Sequence, residues 1–449
     1  MKRTSILASF IFFQSVLCGL PLATAAAQPL ASQSAAASSH IEGGVYLAQR
    51  GKFEQAIAEF DSAIELNPRL ADAWFYRGSA YNFKGDADRA LSDFNRAIEL
   101  NSRFAVGYVN RGKIRYDRGD IDGALADFNR AIELNPRFAV GYVNRGKIRY
   151  DRGDIDGALA DYDKAIKYDA DSSVAPSSHS YIVSASNRIQ GTAYNNRGVI
   201  RREKGDMKRA LGDFNRAIEA DPRLALAYSN RSAIRLLGGD ARGAMEDAER
   251  ALTLDPQSSQ AWNNRGLIRL RAGDTESALG DFDRAIELDP RNVEVHLNRG
   301  NARSDKGRYE EALADYDQAI LLAPRDRRAW SYRGSSRYSK GDYADAISDY
   351  TRAIELDPRN ATAYSNRGNA RRANGDLAGA MNDYNLALSL DPRCALAFLN
   401  RGIGYLQQGC EEEARRDFDQ CLKIDPALRP EFDVAVGEAR RRLNGVLKK

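Results

Sequence analysis

The sequence predicts an all-α fold: a solenoid of about eleven 34-residue helix-turn-helix repeats with a C-terminal capping helix. Three observations predict it. "FAVGYVNRGKIRYDRGDIDGALAD" runs from Phe104 to Asp127 and again, letter for letter, from Phe138 to Asp161, 34 residues on. Weaker copies begin near Ala37, Ala71, Ala105, Ala139, Gly191, Ala225, Ser259, Val293, Arg327, Ala361 and Ala395. Within each copy the apolar residues recur at helical spacing, in two stripes that a single pair of helices cannot bury alone. A fixed period of this length therefore calls for stacked units rather than the three or so globular domains that 449 residues would otherwise suggest.

The chain opens with "MKRTSILASFIFFQSVLCGLPLATAAAQ": two basic residues, an apolar run from Ile6 to Leu20, then small residues. This is the layout of a secretory signal peptide, residues 1–27, with cleavage after Ala27 or Ala25. An uncleaved anchor is the alternative, though the run is short of the roughly 20 residues a spanning helix needs. "SVLC" lacks the small residue that a lipid-modified Cys18 would require before it. No later stretch is apolar enough to span a bilayer, so no stable membrane span is expected after cleavage. Residues 28–36 read as an Ala/Ser-rich linker.

Residues 37–170 hold repeats one to four. In the third, Tyr108, Gly112 and Tyr116 fall on one face of a first helix. Gly119 suits a left-handed cap and Asp120 the start of a second helix. Ala124, Phe128 and Ala131 form its apolar stripe, and Pro136 stops it. Gly112 and Ala124 are small enough to let the two backbones approach closely. The Ser-rich insertion, residues 171–190, reads as a surface loop. Repeats five to eleven occupy residues 191–428. In the final segment, 429–449, Phe432, Val436, Ala439 and Leu443 share a helical face that would cover the last open stripe.

"AWNNRGLIRLRAGDTESALGDFDRAIELDP", Ala261 to Pro290, resembles a tetratricopeptide repeat. Trp262, Gly266, Gly273, Ala278, Phe282, Ala285 and Pro290 match that family's signature at its spacings, and the resemblance covers residues 37–428. It departs where Arg265 and Arg269 stand in place of leucine and tyrosine, and where Ser102 and Ala170 replace the closing proline. The resemblance implies a right-handed superhelical array whose first helices line a concave groove.

Composition narrows the function. Basic and acidic residues number 66 and 62, which gives no electrostatic case for nucleic acid or an acidic membrane surface. Cys394, Cys410 and Cys421 follow the signal segment; an odd number argues against a disulfide framework, with a Cys394–Cys421 bridge the remaining option. His40, His179 and His296 lie in unrelated places, so neither a metal nor a cofactor is expected. "RGD" at Arg118–Asp120 and Arg152–Asp154 reads as helix end, capping glycine and N-cap.

Two sets of polar residues remain. Ten repeats carry an arginine, from Arg77 to Arg401, followed sixteen residues on by an aspartate, from Asp93 to Asp417. Guanidinium and carboxylate would pair across the two helices; a ladder for phosphate is the competing reading. Directly before eight of these arginines stand Asn110, Asn144, Asn196, Asn230, Asn264, Asn298, Asn366 and Asn400. An amide offers both a donor and an acceptor to a peptide backbone. The row resembles the asparagine ladder in the repeat domain of the O-linked N-acetylglucosamine transferases. The alternative is that each amide bonds within its own helix or to the neighbouring repeat. Tyr116, Tyr150 and Tyr338, with Arg202, Leu236, Leu270 and Arg372, would be the variable specificity points.

The expected function is thus an exported, non-catalytic scaffold, in a Gram-negative periplasm or secreted, holding another protein or peptide segment. A structural scaffold of an envelope complex and the targeting subunit of an enzyme on another chain are the alternatives. Only 21 residues follow the last repeat, too few for a catalytic domain.

Overall fold

A computed structural model describes residues 28–171 and 180–446; the expected signal segment lies outside them. Among the described residues there are 23 α-helices, one short 3-10 turn and no strand. The first 22 alternate as eleven pairs; each pair packs within itself and, inside each of two compact units, against the next pair in sequence. The chain divides into two compact units, Met1–Pro256 and Gln257–Lys449.

The third repeat shows how local chemistry makes the pair. Its first helix, Ala105–Asp117, ends where Gly119 takes φ +83°. That left-handed turn brings the Asp120 amide back to donate to the Arg115 carbonyl at 2.8 Å. Asp120 then turns its carboxylate onto the Gly123 N–H at 2.9 Å, capping the second helix, Ile121–Leu134. A glycine at positive φ closes the first helix of every repeat, from Gly51 to Gly409. Ala124, Phe128 and Ala131 are fully buried. A Cβ on Gly112 would sit 2.8 Å from Cε1 of Phe128, so the absent side chain is what lets the ring lie across the first helix.

Two segments depart from expectation, the linker and the insertion, while the first repeat shows what replaces its missing arginine. The Ala/Ser-rich linker is helical: Gln28–Gln49 is one helix that runs into the first repeat, with Ala37 fully buried. The first repeat lacks the arginine, and His40 Nδ1 sits 2.6 Å from Glu59 Oε2 instead. Much of the insertion is helical too. The second helix of repeat four extends to Asp171, and Ser180–Glu203 forms a single 24-residue helix. Once residues 191–203 are packed, each residue added at the N-terminal end gains one hydrogen bond without a new nucleus, so the helix propagates backwards. Ile189 anchors that extension in the core. The remaining insertion residues, 172–179, lie outside the described residues.

The capping helix is Arg429–Val446. Phe432 meets Phe418 edge-on at 5.2 Å, and Val436 and Ala439 bury themselves beside Leu399, Leu406 and Cys421. The Leu443 side chain lies outside the description.

Candidate binding face

The arginines are spent inside the array. Arg111 donates through Nε and Nη2 to the two carboxylate oxygens of Asp127, at 2.9 and 2.6 Å. The same two-point pairing joins Arg77 to Asp93, Arg145 to Asp161, Arg197 to Asp213 and Arg231 to Asp247 in the first unit. In the second unit it joins Arg265 to Asp281, Arg299 to Asp315, Arg333 to Asp349, Arg367 to Asp383 and Arg401 to Asp417. The aspartates are buried, and their placement between two helices agrees with the structural reading of these pairs rather than a phosphate ladder.

Sequence reasoning missed the rest of this network. The third guanidinium nitrogen reaches back to the preceding repeat: Arg111 Nη1 donates to Asn95 Oδ1 at 3.0 Å, and Arg145 Nη1 to Asn129 Oδ1 at 2.9 Å. Asp61, Asp163, Asn215, Asp283, Asp317, Thr351 and Asn385 serve the same purpose elsewhere. A second arginine, four residues on, shares the buried aspartate: Arg115 Nη1 lies 2.9 Å from Asp127. The aromatic ring three residues before the first arginine completes the enclosure, at 5.3 Å for Arg111 over Tyr108 and 4.5 Å for Arg265 over Trp262. The repeat's own spacing of aromatic, arginine and second arginine was the available signal.

The asparagines divide by unit. In the first, Asn110, Asn144, Asn196 and Asn230 are all buried, at 0–3% exposure. Asn110 donates to the Val106 carbonyl of its own helix at 3.0 Å. Asn230 donates to Asn195 Oδ1 at 2.9 Å, and Asn195 in turn donates to Asn196 Oδ1 at 3.2 Å. Asn144 has the apolar Val109 where Asn230 has Asn195, and neither of its amide atoms has a hydrogen-bond partner among the described residues. In the second unit Asn264 is buried, whereas Asn298, Asn366 and Asn400 are half-buried. Asn298 donates to Asn263 Oδ1 at 2.9 Å and Asn400 to Ser365 Oγ at 3.2 Å, in each case 35 residues back. A polar residue just ahead of the preceding asparagine therefore decides whether an amide has a neighbour to bond.

The aromatic positions of the first unit are paired as well. Tyr116 Oη donates to Asp151 Oδ2 at 2.6 Å, and Lys147 Nζ lies 2.9 Å from that same oxygen. Burial, with Asp151 beside it, pushes the Tyr116 hydroxyl well above its ordinary pKa. The fully buried Tyr150 donates to Glu203. Burial also lowers the pKa of Arg202, whose Nη1 stands 3.5 Å from Asn230 Oδ1. In the second unit Tyr338 is half-buried against Tyr343, with ring centroids 5.5 Å apart, and Arg372 Nε donates to Tyr384 Oη at 3.4 Å. Leu236 and Leu270 are half-buried in their respective units.

The other motifs are accounted for locally. Arg118 pairs with Asp88 at 2.6 Å and Asp120 caps a helix, so the tripeptide between them is structural. Cys394, Cys410 and Cys421 are free thiols, and burial pushes Cys421 up. His296 donates Nε2–H to the Pro290 carbonyl at 3.0 Å, and His179 lies outside the described residues. Among the described residues no cluster of His, Cys, Asp or Glu could hold a metal, and no helix is long and apolar enough to cross a membrane.

Comparison with known proteins agrees with this architecture. Models of the TPR repeat match residues 46–85, 112–151, 334–374 and 368–409. Tetratricopeptide repeat models also match 71–104, 139–172, 191–224, 259–292, 293–326 and 395–428. No curated protein matches the chain. Among solved structures it is similar to yeast Tom70, at 17% identity over 91% of this chain and 96% of that one, with a TM-score of 0.42. MamA is similar at 25% identity over 36% and 95%, with a TM-score of 0.33. PilF of Pseudomonas aeruginosa is similar at 19% identity over 48% and 97%, with a TM-score of 0.42. With the repeat models together spanning more than half of its length, the chain belongs to the tetratricopeptide repeat family.

Proposed function

We propose that this chain is a non-catalytic interaction scaffold that holds an extended segment of another polypeptide against its first helices. The observation that carries the reading is the row of half-buried amides in the second unit, Asn298, Asn366 and Asn400. Asn298 commits its N–H to Asn263, which leaves Oδ1 to accept from a strand's N–H. In the first unit a strand would first have to part Tyr116 from Asp151 and Tyr150 from Glu203. The second unit is therefore the gripping surface in this reading.

A second reading, in which the amides only join repeat to repeat, is favoured at Asn230 by its bond to the buried Asn195. A scaffold of that kind would bind a folded partner. Photocrosslinking from position 366 in living cells separates the two. Crosslinks to one linear stretch of a partner support the strand reading; crosslinks scattered over a folded surface sink it. We also propose that the chain is exported, on the residues of 1–27 alone. N-terminal sequencing should find a mature start near Gln28, and Met1 retained in a membrane fraction would refute export with cleavage.

A further inference from the structure

A pocket of about 410 Å³ opens in the first unit where the helix Ile155–Asp171 meets Ser180–Glu203 and Met207–Ala220. Leu159 gives it an apolar wall, and Arg197, Arg201, Lys204 and Arg209 bring four cations to it against two carboxylates, Asp163 and Asp206. Arg197 is consumed, held by Asp213 on one side and Asp163 on the other. Among the described residues the other three cations each have a single carboxylate partner, Asp213 for Arg201, Asp156 for Lys204 and Asp206 for Arg209.

Arg201 differs from its counterparts in neighbouring repeats. Arg115, Arg149, Arg235 and Arg371 each bond the buried aspartate, donate to the backbone carbonyl eight residues on, and hold Nε within 3.6–3.9 Å of the helix-capping aspartate. Arg201 makes the first contact alone, Nη1 to Asp213 at 2.8 Å, as Arg337 does with Asp349 in the second unit. The four arginines that make all three contacts share a glycine two residues past the start of the next helix. Where Gly123, Gly157, Gly243 and Gly379 stand in those repeats, this one has Arg209, whose guanidinium takes the capping Asp206 at 3.4 Å. Arg201 therefore keeps Nε and Nη2 without an acceptor among the described residues. Lys204 is tied only to Asp156, a solvent-exposed pair of little net strength.

We propose that this pocket binds an oxyanion, a carboxylate or a phosphate, held two-point by Arg201 and supported by Lys204 and Arg209. The planar guanidinium edge matches either anion's pair of oxygens, and Leu159 provides contact for the group that carries it. The site is separate from the asparagine row and does not depend on it.

The test is a titration of the full chain with inorganic phosphate, and separately with acetate, at constant ionic strength. The readout is the Nε–Hε resonance of Arg201, assigned through Arg201→Lys. A saturable shift with both anions supports a general oxyanion site, and a shift with phosphate alone narrows the ligand to a phosphoryl group. Arg209→Gly restores the residue that four other repeats carry, so the fold is expected to hold. It should return Asp206 to Arg201 and weaken apparent affinity at least about tenfold, while Arg209→Lys weakens it less. The proposal is overturned if chloride at matched ionic strength reproduces the shift, if Arg201 does not respond, or if Arg209→Gly binds as well as the parent.

Discussion

Ser232 and Ala248 exchange the volumes that glycine and phenylalanine hold in neighbouring repeats. In the third repeat Gly112 leaves room for Phe128; in the sixth, Ser232 fills part of that room and Ala248 gives it up. Both are fully buried, and Ser232 Oγ donates to the Ser229 carbonyl at 2.8 Å. Ala248→Phe should destabilise by about 1–3 kcal/mol through overpacking. Adding Ser232→Gly should recover most of that loss, giving a coupling energy above about 0.5 kcal/mol in a double-mutant cycle by urea denaturation. Strictly additive losses would show that the two positions do not share a space.

Arg265→Ala removes two bonds from Asp281 but leaves Arg269 Nη1 at 2.8 Å. The single change should cost roughly 1–3 kcal/mol. Taking away Arg269 as well strands a buried carboxylate, and the loss should rise to about 3–5 kcal/mol. Unfolding midpoints that do not move further with the second substitution would contradict the shared-aspartate geometry.

Acid should act through Asp315. Burial pushes its carboxyl up, but His296, Arg299 and Arg303 outweigh that and hold it below the ordinary range. A carboxyl depressed in the folded state stabilises above its unfolded pKa of about 4, and that stability fades as pH falls through the folded value. The gap in unfolding free energy between the parent and Asp315→Asn should therefore narrow below about pH 4. A gap that stays constant from neutral pH down would be inconsistent with this linkage.

The two groups of asparagines should separate by phenotype. Asn298, Asn366 and Asn400, changed together to alanine, should leave helicity intact, since alanine is the better helix former. If each amide gives up about 0.5–1.5 kcal/mol, affinity for a crosslinked partner segment should drop about a hundredfold. Asn230→Ala should instead lower stability, by about 0.5–1.5 kcal/mol, through its lost bond to Asn195. Unchanged affinity in the triple variant would assign these amides to packing.

What could be read from the sequence was what a single repeat determines by itself. The capping Asp120, the glycine turn and the sixteen-residue Arg–Asp spacing are all local, and each is where the pattern places it. Relations between repeats were harder to see. The acceptors for the third arginine nitrogen vary among Asn95, Asp61 and Thr351, so no one letter marks them. Burial of Asn144 and Asn230 depends on how closely adjacent first helices pack, which a one-repeat pattern does not encode. The Ser232–Ala248 exchange was visible in principle, had the two positions been read as one volume.

The backward reach of Arg111 to Asn95 and of Arg145 to Asn129 also bears on how such a gene can grow. Among the described residues nine repeats carry such a donor for the neighbour upstream, each met by an acceptor within the same compact unit. A tandem copying event that duplicates one of these 34-residue units beside itself, as between Arg111 and Arg145, therefore leaves no donor or acceptor of this kind orphaned. The newcomer is compatible on arrival and needs no compensating change on either flank. The letter-perfect recurrence of Phe104–Asp127 at Phe138–Asp161 is what such an event would leave behind before drift had time to separate the copies. A row built this way can lengthen by whole units without a new partner having to arise for each added arginine.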